Sequence, residues 1–173
     1  MYSVQVDDRI VYSSSIASSD TTSAVGAILN DYNVTSIKFF TNAVSTTTSG
    51  IDFVGTYSGL ELGPGVFNLS LGFNQNKTVL GDEINTPAPI ASSGAELFDR
   101  KEQSRLVSAR PSNKLILGLN YLVGSLEIGL NNTQFGTVKW QHASDESKDQ
   151  TFSAKLVTDL NLNYKVDNNL SLN

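Results

Sequence analysis

Cysteine is absent from the 173 residues, which removes disulfides, thiolate metal sites and cysteine nucleophiles together. Histidine occurs once, as His142, so a histidine-built metal centre has no second ligand of its kind. Twelve basic residues stand against seventeen acidic ones, a net charge of -5 that argues against nucleic acid as a partner. No apolar run approaches the roughly 18 residues that a membrane helix needs. The mean hydropathy is -0.13. Met1-Tyr2-Ser3-Val4-Gln5-Val6-Asp7 has neither the basic start nor the apolar stretch of a secretory signal. No Gly-x-Ser-x-Gly elbow is present, and one histidine among many serines defines no triad. Neither an enzyme nor a cofactor is expected.

The informative positive feature is rhythm. Strand-like runs fall near 2–13, 37–57, 65–79, 106–121, 125–140, 153–164 and 169–173, and the gaps between them alternate long and short. The short gaps carry tight-turn residues: Gly63-Pro64-Gly65, Val123-Gly124 and Asp167-Asn168. The long gaps are polar and charged, with Asp99-Arg100-Lys101-Glu102-Gln103-Ser104-Arg105 and Asp145-Glu146-Ser147-Lys148-Asp149-Gln150 expected as solvated loops. In the first long gap, Ser19-Asp20 ahead of Ala24-Val25-Gly26-Ala27-Ile28-Leu29 suggests a short capped helix. Long loops at one end and tight turns at the other are the habit of an outer-membrane barrel.

Within the runs, side chains alternate. Phe67, Leu69, Leu71 and Phe73 oppose Asn68, Ser70, Gly72 and Asn74; Leu160, Leu162 and Tyr164 oppose Asp159, Asn161 and Asn163. Ile116 and Val54 interrupt the pattern. A one-sided soluble sheet, such as a carbohydrate-binding module, alternates in the same way. Two features favour the barrel. The opposite face carries Asp52, Asn68, Asn120, Glu127, Asp159 and Asn161, as a wet lumen requires. Tyr57, Tyr121 and Tyr164 each end an apolar face beside a short gap, the position of a periplasmic aromatic girdle. The fold expectation is therefore all-β: an antiparallel up-and-down transmembrane β-barrel, partial, with about seven strands. The leucines are expected on its convex face.

Particular segments add a resemblance. Phe39-Phe40-Thr41-Asn42-Ala43 followed by Thr48-Ser49-Gly50-Ile51-Asp52-Phe53-Val54 resembles the late-barrel segment of TonB-dependent outer-membrane receptors. Leu97-Phe98-Asp99-Arg100-Lys101-Glu102-Gln103-Ser104-Arg105 with Ala109-Arg110-Pro111 is similar to the same family, as are Asp149-Gln150-Thr151-Phe152-Ser153 with Val157-Thr158-Asp159-Leu160 and the opening Val6-Asp7-Asp8-Arg9-Ile10-Val11. The resemblance covers nearly the whole chain. It implies that residues 1–173 are part of a plugged 22-stranded barrel, with the plug and the terminal strands lying elsewhere. It also implies uptake of a scarce nutrient, such as a ferric siderophore, a vitamin or a glycan, across the outer membrane of a Gram-negative bacterium. The partners would be outer-membrane lipid, a small-molecule or metal-chelate substrate, and the TonB complex acting through the plug. A passive porin-type barrel is the alternative within the membrane class.

Three sets of residues admit sharper readings. His142 beside Trp140 is expected as a solvated loop residue. Asp52, Glu127 and Asp159 lie on separate strands, so lumen lining is preferred over paired acid chemistry. Arg100, Arg105 and Arg110 could attract an anionic chelate, although charge-rich loops are usually only solvated.

Overall fold

The computed structural model describes residues 1–18, 24–167 and 169–173. Seven strands form one sheet: β1 (Tyr2–Tyr12), β4 (Phe40–Leu62), β5 (Gly65–Ile84), β6 (Asn113–Val123), β7 (Leu126–Phe135), β10 (Lys155–Lys165) and β11 (Ser171–Leu172). Their spatial order follows the chain, and every pairing is antiparallel. The sheet is an open meander with β1 and β11 at its edges, and it does not close into a barrel. The remaining elements sit in the long connections. β2 (Ile16–Ala17), α1 (Ala24–Asp31) and β3 (Ser36–Ile37) occupy the first; α2 (Ala88–Ala91) and α3 (Arg100–Val107) occupy the second. β8 (Val138–Trp140), a 3-10 turn (Glu146–Lys148) and β9 (Gln150–Phe152) occupy the third.

The tight connections are tighter than the sequence suggests. β4 runs on to Leu62 and β5 starts at Gly65, so the expected gap at 58–64 shrinks to Gly63 and Pro64. A register shift between Tyr57 and Leu60 absorbs the irregular stretch, where Gly59 adopts φ 82. That positive φ is cheap only for glycine. The bulge lets Leu60 rejoin Phe67 on the apolar face. At the next turn Gly124 takes φ 57. The third turn is held by Asp167, whose Oδ1 accepts from the N–H groups of Asn169 and Leu170 at 2.7 and 3.0 Å. Asn168, the other residue expected there, lies outside the described residues.

Two expectations need correction. The strand expected from 106 begins at Asn113, because residues 100–107 are helical. Asp99 is the N-cap of that helix, accepting from the Glu102 N–H at 2.9 Å, and one capped turn outcompetes an extended backbone there. The strand expected to run from 125 to 140 stops at Phe135 and resumes only as the three-residue β8. In the first long connection α1 forms where it was expected, while its proposed cap, Ser19-Asp20, lies outside the described residues.

The hydrophobic core is not between sheets. It is Val11, Ile16, Val25, Leu29, Ala43, Val44, Ile90, Leu97 and Phe98, gathered where the first two long connections meet the upper ends of β1 and β4. Val44 and the buried Thr46 and Thr78 belong to the polar side of the sheet. The long connections therefore fold inward over that side as a cap.

Candidate functional site

Pairing register assigns every candidate to a face, because directly opposed residues in antiparallel strands share one. Asn68 opposes Asn120, which opposes Gly129, which opposes Asn161. Asn163 opposes Glu127, Asp159 opposes Asn131, and Asp52 opposes Asn74, which shares the face of Asn68. All six expected lumen residues thus lie on one face. A concavity of about 740 Å³ rests against it, bordered by Thr56, Asn68, Ser70, Asn120, Glu127 and Asn161. Asn74 Nδ2 donates to Asp52 Oδ1, and Asn120 Nδ2 donates to Glu127 Oε1 at 2.7 Å. The Asn120 Oδ1 atom is buried without a hydrogen-bond partner among the described residues. The two irregular residues, Val54 and Ile116, lie on this same face, each opposite Gly72.

The other face carries Phe67, Leu69, Leu71, Leu117, Leu119, Leu160 and Leu162 together, as expected. These side chains do not converge on a dry interior: Leu160 is 62% exposed and Leu162 53%. Tyr57, Tyr121 and Tyr164 share this face but not one hydrogen-bonded row. Tyr57 lies in the row of Leu69, Leu119, Leu130 and Leu160; Tyr121 lies two residues nearer the turns, opposite Phe67 and Ile128; Tyr164 lies two residues nearer again, opposite Leu126. The rings descend two residues for every two strands. Tyr121 stacks on Phe67 with centroids 4.4 Å apart.

The charged long connections are the main surprise, because they are stapled together. Glu102 is 3% exposed and holds Lys38 at 3.0 Å and Arg105 at 2.7 Å, joining the first connection to α3. Ser14 reinforces the join: its N–H donates to Leu97 O and its Oγ accepts from Asp99 N–H, each at 2.8 Å. Arg100 reaches Asp149 at 2.9 Å, and Ser108 exchanges two hydrogen bonds with Lys139, which joins the second connection to the third. The expectation of solvated loops is therefore corrected for Glu102 and for the Arg100–Asp149 pair, whose mutual pairing allows withdrawal from water, while Glu146 and Lys148 stay exposed as expected. Asp99 followed three positions later by Glu102 is a helix-start pattern that could have revealed α3. The packing of Leu97 and Phe98 beneath it carries no such local sign.

Of the arginines considered for anions, Arg100 and Arg105 are spent on these carboxylates, whereas among the described residues Arg110 donates only to the Leu106 carbonyl, at 3.1 Å. His142 turns its ring Nδ1 to the N–H groups of Ser144 and Asp145 at 3.4 and 3.2 Å, and the described residues hold no cluster able to bind a metal. Its own N–H donates to Asp149 at 2.9 Å. That bond foremost, opposed by burial and aided by Arg100, holds the Asp149 carboxyl below its ordinary value of 3.8. The stability Asp149 contributes is thus complete above its unfolded-state value and is lost as pH falls through the lower folded one. Trp140, on the strand paired with Gln150, should report this as a fluorescence step below pH ~4. Asp149→Asn should abolish the step; its persistence would show that another group titrates.

Comparison with family models, characterised proteins and solved structures finds no match to this chain.

Proposed function

We propose that the sheet is a sector of an outer-membrane β-barrel, and that the chain serves uptake as part of a TonB-dependent receptor. The observation that carries the membrane reading is the stagger of the outward residues. A descent of one residue per strand, with about 3.3 Å per residue and 4.8 Å between strands, is level in a barrel whose strands tilt by about 35°. The sense agrees as well. Asn76 N–H donates to Ser112 O, so concave-face residues of β5 turn their backbone toward β6. For L-residues the chain then runs right to left when viewed from outside with the long connections up. The tyrosines become level when the strands lean right, the lean that natural sheet twist imposes.

The upper edge of the band behaves the same way. After the same correction, Ser49, Gln75, Asn113 and Gln134 are the outward polar residues on β4 to β7 at nearly one height, about 20 Å above the tyrosines. This is close to the roughly 25 Å apolar band of such barrels. Asn132 and Thr158 fall inside the band, and they satisfy each other with a 2.6 Å hydrogen bond. A soluble module has no need for two level boundaries on an exposed face.

The receptor reading rests on the family resemblance and on the cap. A passive porin needs a free mouth, whereas here two packed connections roof the concave face. Substrate would meet this cap first and the lumen wall at Asn68, Asn120, Glu127 and Asn161 next. Energy would come from the TonB complex through a plug.

The test is spin labelling of the chain in lipid vesicles, with single cysteines at 117 to 120 and at 159 to 162. Labels at Leu117, Leu119, Leu160 and Leu162 should relax with oxygen, and those at Asn120 and Asn161 with a water-soluble nickel chelate. Absence of this two-residue alternation, or quantitative recovery of folded chain without lipid or detergent, overturns the proposal.

A further inference from the structure

The chain has four arginines. Two of them hold carboxylates, as described above, and the other two, Arg9 and Arg110, have no ion-pair partner among the described residues. Both line one cavity of about 300 Å³ on the concave side of β1, β4 and β5, under the end of α3. In a chain of net charge -5, two guanidiniums without a carboxylate partner among the described residues border one partly open cavity.

The rest of the lining has matching chemistry. Tyr2, Thr48, Asn76 and Ser112 contribute hydroxyls and an amide, and no carboxylate lines the cavity. Arg9 Nη1 donates to Thr46 Oγ1 at 2.9 Å, which anchors one side of the group and leaves its other N–H donors without a partner among the described residues. Arg110 is tethered in the same manner by its bond to Leu106 O. The Tyr2 hydroxyl has no hydrogen-bond partner among the described residues, and it sits where Gly50 lacks a side chain: a Cβ there would lie 2.6 Å from that oxygen. The glycine therefore makes room for the phenol. Two guanidiniums and a phenol thus line, with no carboxylate among the lining residues, a space large enough for a small molecule.

We infer that this cavity binds a small multivalent oxyanion, one bearing carboxylates or phosphates. A guanidinium fork matches the paired oxygens of either group. The site depends on the proposed function only for its orientation, since it would then open beneath the cap on the substrate side.

The test is calorimetric titration of the full chain in detergent micelles at low ionic strength, with tricarballylate, inorganic phosphate and maltotriose as probes. One or both oxyanions should bind, and maltotriose should not. Arg9→Gln and Arg110→Gln should each weaken binding about tenfold, the loss expected of a charge-assisted pair. Lys77→Gln, on the opposite face, should leave binding unchanged. Tyr2→Phe, the mildest change, should weaken it roughly threefold, the scale of one neutral hydrogen bond, and guards against misfolding of the arginine variants. The preferred probe identifies the oxyanion class. No oxyanion binding, or binding indifferent to both arginine substitutions, overturns the inference. Because micelle binding does not read membrane insertion, it can fail while the spin-label alternation holds, and the reverse.

Discussion

Leu71→Arg should lower stability in lipid vesicles by about 2–4 kcal/mol, the penalty for a cation facing lipid near the midplane. Leu71 lies near mid-height of the outward band, in the row of Gly55 and Leu117, and is 38% exposed. Depth provides the control. Gln75→Arg, four residues further along β5 at the polar boundary, should cost less than about 1 kcal/mol. Asn161→Arg, on the concave face beside the 740 Å³ space, should also be mild, because its charge meets water. A sheet whose outward face is bathed in water would show none of this, since exposed substitutions usually stay within about 0.5 kcal/mol. Unfolding of the three variants in urea, monitored by tryptophan fluorescence, separates the outcomes. Equal stability of Leu71→Arg and the unsubstituted chain would remove the membrane from the account.

Glu102→Ala should loosen the cap without disturbing the sheet. Glu102 is almost fully withdrawn from water and compensates two cations, Lys38 and Arg105. Removing it strands both charges next to a core of Leu97 and Phe98. Loss of one member of a wholly buried pair costs about 3–5 kcal/mol. Here Lys38 and Arg105 are 24% and 50% exposed, so partial solvation brings the expectation to about 2–3 kcal/mol. The natural readout is hydrogen exchange at Ser13, Ser14 and Phe39, whose N–H groups are bonded within the staple. Their exchange should accelerate by roughly 30- to 150-fold, with amides of β6 and β7 unchanged. Glu102→Gln, which keeps one acceptor, should fall between the two. Uniform acceleration across the sheet would mean that the cap and the sheet open as one unit.

Local chemistry carried a good part of this protein. Period-two alternation in residues 67–74 and 160–164 assigns each side chain to a face before any pairing is known, because the pleat itself alternates. Glycine and proline at 63–65 and glycine at 124 place two reversals for equally local reasons. What alternation lacks is any record of distance between strands. Hence the bulge at Gly59 and the extension of β4 to Leu62 were not legible: a register shift is a relation between two strands, and neither states it alone.

The cap was less legible still. Asp99-Arg100-Lys101-Glu102 reads as a solvated run because charge is expensive to bury. Only the arrival of Lys38 and Asp149 from distant positions, beside the local Arg105, makes burial of Glu102 and engagement of Arg100 affordable. The same holds for Arg9 and Arg110, separated by a hundred residues and brought to one cavity by sheet order and by α3. The sequence by itself determined which residues alternate and where two turns fall, since each rests on interactions within a few residues, and the rhythm of short and long gaps implied antiparallel pairing of neighbours in chain order. The tertiary structure alone decided the stagger that levels the tyrosines, the inward fold of the long connections and which charges remain unpaired. Those depend on contacts whose partners lie far apart along the chain, and local periodicity holds no information about them.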